Sequence, residues 1–158
     1  MAWRSLGGVS AASRLSGEWL VVVPEAGASA DVVAGLAERG AGVRELVFDA
    51  DRGVLAERLA GVGGSLVGVV SVLPGVVSTA VLVQALGDAG VVAPLWCVTR
   101  GAVSVAASDR LRDVAQAGVW GLGRVVGLEH PERWGGLVDL PETVDGRVLS
   151  WLVGVLAG

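Results

Sequence analysis

The side chains in this sequence that could do chemistry are few and poorly grouped. Ser71, Thr99 and Ser104 offer hydroxyls, but none has a base at a spacing that would activate it, so each reads as structural rather than nucleophilic. His130 is the sole histidine and the one side chain whose ordinary pKa lies near neutrality. Pro131 follows it and no nucleophile is near, so it reads as a helix terminus. The lone Cys97 lies in the apolar run from Pro94 to Val98, with no second cysteine to bridge and no Cys/His cluster to hold zinc. Tyrosine and lysine are absent altogether. The expectation is a chain with no catalytic, cofactor-binding or metal-ligating residues, which alone does not catalyse.

The elements that would position these groups alternate strand and helix, the pattern of βαβ units around a parallel sheet. Strands are predicted at 19–23, 44–48, 66–73, 92–99 and 136–140, the run 66–73 being continuously apolar. Ser29 is a candidate N-cap with Asp31 in the first turn of a helix that Gly40 ends. Asp51 is a candidate cap for a helix carrying Val54, Leu55, Arg58 and Leu59, closed by Gly61. A third helix is predicted over 76–86, and Pro94 marks the start of a strand rather than its middle. A long helix opening at Asp109, with Val119, Leu122 and Val126 on one face, stops at His130-Pro131, because the residue before proline disfavours helix. Thr143 is the candidate cap of a final helix bearing Val148, Leu149, Leu152, Val153 and Leu156.

Two positions in such a layout would hold a dinucleotide. The first strand-to-helix turn should be glycine-rich so that backbone meets pyrophosphate at a helix N-terminus. Here it is Pro24-Glu25-Ala26-Gly27-Ala28-Ser29, where one glycine stands among blocking side chains and Glu25 repels phosphate. Asp49 follows the second strand where a ribose-binding acid would lie, but Asp49 and Asp51 both precede a helix and read as caps. No bound cofactor is expected.

With 158 residues, 53% of them hydrophobic, the chain can bury the core of one domain without disulfides or a structural metal. All twelve basic residues are arginines, and Ile, Asn, Lys and Tyr are missing, the signature of a GC-rich gene. A net charge of −4 with scattered arginines gives no footprint for nucleic acid. The uncharged stretch from Leu59 to Gly87 exceeds the roughly 20 residues that span a bilayer. Its six glycines, Pro74 and several hydroxyls divide it into a buried strand and a half-buried helix, so no membrane span is expected. No signal segment precedes the first strand, and a cytoplasmic location is expected.

Three segments carry a resemblance: WCVTRGAV from Trp96, QAGVWGLGR from Gln116, and LEHPERWGGLVDLP from Leu128. They closely resemble the ketoreductase domain of modular type I polyketide synthases, and more narrowly its N-terminal structural subdomain, across nearly the whole chain. The resemblance implies a truncated Rossmann-like α/β fold of the short-chain dehydrogenase type, with a parallel sheet flanked by helices. It implies residues 1–17 as an upstream linker with a possible short strand at Trp3-Arg4, and 18–158 as the structural subdomain, without the catalytic one. In that family the NADPH and the Ser/Tyr/Lys-type residues belong to a following catalytic half, so none of them has a counterpart here. Laid over the catalytic helix of a dehydrogenase, Val119 falls roughly where the tyrosine would stand and Gly123 where its helical partner would.

What remains is surface for a partner. Mean hydropathy of +0.65 is high for an isolated domain, and a contiguous apolar patch marks an interaction site. Trp120 and Arg124 are of the types that anchor interfaces. Gly121 and Gly123 cost their helix roughly 1 kcal/mol each relative to alanine, which suggests close approach of another element, inside the domain or outside it. Trp120, Gly121, Gly123 and Arg124 are therefore the candidate contact with the catalytic half. The expected role is a scaffold that stabilises and orients that half, which reduces a carrier-bound β-ketoacyl group, beside neighbouring synthase domains. The alternative is a remnant of an inactive ketoreductase serving as spacer or docking surface.

Overall fold

The structure, a computed structural model, describes residues 14–62, 64–100 and 114–157. The predictions for Trp3-Arg4, Ser104 and Asp109 lie outside the described residues. Five strands, β1 (Glu18–Val23), β2 (Gly42–Val47), β3 (Leu66–Ser71), β4 (Leu95–Arg100) and β5 (Trp134–Leu140), form one sheet in the order β2-β1-β3-β4-β5. Every pairing is parallel. Among the described residues, five helices connect and follow them: α1 (Ala30–Glu38), α2 (Arg52–Val62), α3 (Val76–Asp88), α4 (Val114–Glu129) and α5 (Gly146–Ala157).

Alternation along the strands builds two cores. Trp19, Val21 and Val23 of β1 and Val98 of β4 point to one face, where α1 and α5 cover them with Val32, Leu36, Val148 and Leu152. Leu20, Val22, Leu95 and Cys97 point to the other, under Leu55 and Leu59 of α2, Leu82 of α3 and Val119 of α4. Both faces are covered at the centre of the sheet, which is why β1 and β3 read as apolar runs, whereas edge strand β2 carries exposed Arg44 and Glu45. Leu36 and Leu152 are fully buried, so cutting either to alanine costs about 2–5 kcal/mol.

Local chemistry moves several boundaries. Asp51 caps α2 as expected, its carboxylate accepting the Val54 N–H at 3.0 Å, and α2 runs one residue past Gly61. Ser29 holds the N-cap position but in the left-handed region (φ 54°), and its side chain makes no capping bond. Its carbonyl instead accepts the Val32 and Val33 N–H groups. Thr143 does not cap α5. Asp145 does, accepting the Val148 N–H at 2.9 Å, and α5 starts at Gly146. α4 ends at Glu129, before His130-Pro131, and a single 3-10 turn leads into β5.

Candidate functional site

Successive strands are added outward to opposite sides of the β1–β3 pair, and the crevice beyond the carboxyl ends of those strands is where open α/β sheets hold ligands. Here that edge carries the protein's own charges. Gly27 takes a positive φ of 84° to make the β1–α1 turn, and its N–H donates to Glu45 Oε1 at 3.5 Å. Glu25 stands exposed in the same turn. At the start of α1, Asp31 Oδ1 accepts the Val32 N–H at 2.8 Å and receives Arg100 Nη2 from the end of β4 at 2.6 Å. That hydrogen bond holds the Asp31 carboxyl below its usual range of 3.8. Negative charge thus flanks the turn that a pyrophosphate would approach: Glu45 holds the Gly27 N–H, and Asp31 is paired with Arg100. Asp49 accepts the Asp51 N–H at 2.8 Å and lies 3.8 Å from Arg58, the role of a turn acid.

β4 ties the other helical layer to the sheet through the next side chain. Thr99, 1% exposed, pairs in register with Asp139 of β5 and donates its hydroxyl to Asp139 Oδ1 at 2.8 Å. Trp120 of α4 donates its indole N–H to Thr99 Oγ1 at 3.0 Å. Arg100, one residue on, also donates to the Glu142 carbonyl at 3.3 Å. Thr99 and Arg100 point to opposite faces of the sheet, so two consecutive residues reach α4 and α1 respectively.

The four candidate contact residues divide between the two sides of α4. Gly121 and Arg124 are exposed and, with Val125 and Leu128, line one helical stripe. Val125 is 48% exposed and Leu128 84%, and on neighbouring α3 Val77 is 78% exposed. Trp120 is half-buried over Thr99. Gly123 turns inward: a methyl added there would stand 2.9 Å from Leu137 and 3.0 Å from Trp134. Gly127 likewise faces Trp134, and Gly118 faces Val76 of α3. A methyl on Gly121 would meet nothing within 4 Å. The close approach inferred for Gly123 is therefore to β5 of the same domain.

Sequence reading did not find the Thr99–Trp120–Asp139 cluster or the Arg100–Asp31 pair. Their bonded pairs lie between 21 and 69 positions apart in the chain. The adjacency of a hydroxyl and an arginine at the end of an apolar strand was the available signal. Among the described residues, no three His, Cys, Asp or Glu side chains group to hold a metal, and no helix is long and apolar enough to cross a membrane.

Fold and edge together define a Rossmann-like α/β domain whose carboxyl edge is tied up by its own side chains. The chain belongs to the family described as the Rossmann fold domain of the polyketide synthase extender module SpnB, whose family model matches residues 2–157. It is 56% identical, over 92% of its length, to polyketide synthase GfsA of Streptomyces halstedii, and spans 2% of that protein. It is 48% identical, over 99% of its length, to the pikromycin polyketide synthase component PikAIII of Streptomyces venezuelae, and spans 10% of it. Among solved structures it matches a C2-type ketoreductase from a modular polyketide synthase, with a TM-score of 0.84 and 46% identity. That match covers 92% of this chain and 36% of the ketoreductase.

Proposed function

We propose that this chain is the non-catalytic structural half of a polyketide synthase ketoreductase. Its residues from 18 onward stabilise and orient a following half, which binds NADPH and reduces a carrier-bound β-ketoacyl group. The observation that carries the reading is the span: the chain is covered almost end to end by its likeness to a ketoreductase yet accounts for 36% of that protein. The carboxyl edge supports it, since its carboxylates oppose a phosphate and its hydroxyl, Thr99, is buried between Asp139 and Trp120. The docking surface is the exposed stripe of Gly121, Arg124, Val125 and Leu128 on α4, extended by Val77 of α3. An exposed leucine and two exposed valines with an arginine have the composition of a partner surface rather than a solvent face.

The test is co-purification of this chain with the downstream half of its own synthase, expressed as two polypeptides, one of them tagged. Wild-type chain should co-purify with the tagged half, and Leu128→Glu, which puts a charge where a leucine would be buried, should not. Equal recovery of both would remove α4 as the docking element.

A further inference from the structure

The inward side of α4 packs through Val119 and Val126, with glycines set beside them. Gly118, Gly123 and Gly127 present hydrogen atoms to Val76, Leu137 and Trp134. Helices set their mutual rotation by fitting side-chain ridges into grooves, and two valines flanked by glycines make only shallow ridges. The Trp134 ring lies against Gly123 and Gly127 and fixes the distance of the C-terminal half from β5. In the N-terminal half a directional contact is made by Trp120, whose N–H meets Thr99 Oγ1 at 3.0 Å. Thr99 is buried, and its own hydroxyl proton is committed to Asp139 on the paired strand, so the acceptor cannot shift without breaking that second bond. A hydrogen bond weakens steeply as it bends, and one degree of freedom that it resists is rotation of α4 about its axis. Rotation would carry Gly121, Arg124, Val125 and Leu128 away from their outward alignment.

We infer that Trp120 and Thr99 are positioning residues. The indole-to-hydroxyl bond, held by Asp139, sets the rotation of α4 and so the presentation of its docking stripe. The inference rests on the reading of α4 as the docking helix. It assigns Trp120 a role on the inward side of α4 rather than direct contact with the partner.

The test uses the intact ketoreductase, this chain joined to its downstream half, with NADPH and a β-ketoacyl thioester. Thr99→Val and Trp120→Phe remove the bond while nearly keeping shape, and Thr99→Ser keeps the hydroxyl. Thr99→Val and Trp120→Phe should each lower kcat/KM by about fivefold to tenfold, the worth of one hydrogen bond. Thr99→Ser should restore it. Hydrogen exchange should quicken in the α4 peptide of Thr99→Val while the β1 and β3 peptides stay protected, a pattern that general destabilisation would not give. Equal behaviour of Thr99→Val and Thr99→Ser overturns the inference. Should Thr99→Val not fold, Trp120→Phe read against Thr99→Ser decides the same question. Leu128→Glu separates the two layers of the argument. If it reduces as wild type, the docking reading fails and the positioning role with it. If it loses reduction while Thr99→Val and Trp120→Phe keep it, the positioning role alone fails.

Discussion

At the scale of single residues, the pair at the end of β4 decides most. Arg100 holds the Asp31 carboxyl below its ordinary value of 3.8. A depressed folded-state pKa means that the pairing adds stability in full above that ordinary value and loses it as pH falls through the lower folded one. Both side chains are partly exposed, at 27% and 40%, so screening limits the gain to about 1 kcal/mol or less. Asp31→Asn should therefore lower the urea midpoint at neutral pH, and the gap to wild type should close in acid. A gap of unchanged size in acid would contradict the assignment. Cys97 is a second residue with a defined expectation. Burial pushes its thiol up to about 12, so it should resist alkylation at pH 8 in the native chain and react once the chain is unfolded. Labelling of folded protein at the rate of a free thiol would mean that the β4 face is more open than described.

At the scale of elements, α4 shows what glycine does on each side of one helix. Gly123→Ala forces a methyl against Leu137 and Trp134 and should cost roughly 1–3 kcal/mol. Gly121→Ala meets nothing and should add about 1 kcal/mol through helix propensity. Thermal melts of the two variants should move in opposite directions, and movement in the same direction would show that α4 is seated otherwise. The same helix marks the limit of sequence reading. Its end at His130-Pro131 and its apolar residues Val119 and Val126 were legible, because a proline and a helical period are local signals. Which side Gly121 and Gly123 occupy was not, since it depends on Trp134 and Leu137 from a later strand. The central strands were legible as apolar runs and their ends were not: β4 starts at Leu95, three residues after its predicted start at Val92. The α5 cap passed from Thr143 to Asp145 because both are capping types and only the turn geometry chooses. Ser29 kept its position and lost its capping bond once the preceding turn put it in the left-handed region.

At the scale of the whole molecule, the two cores and the parallel sheet are those of a fold that ordinarily holds a dinucleotide at its carboxyl edge. In this chain the same edge joins α1, α4, β5 and the turn after β5 through Arg100, Thr99, Asp139 and Trp120. The outer stripe of α4 meanwhile exposes Val125 and Leu128 beside Arg124. In the proposed ketoreductase these are complementary halves of one arrangement, an edge that holds the helices and a helix that holds the catalytic half. The measurement that tests this most directly is NADPH-dependent reduction of a β-ketoacyl thioester by three proteins from one gene: this chain, the half that follows it, and the two joined. The joined protein should reduce the thioester, and this chain alone should neither reduce it nor bind NADPH. Reduction or tight NADPH binding by this chain alone would rule out a non-catalytic half, and a joined protein that folds but does not reduce would rule out a role in a working reductase.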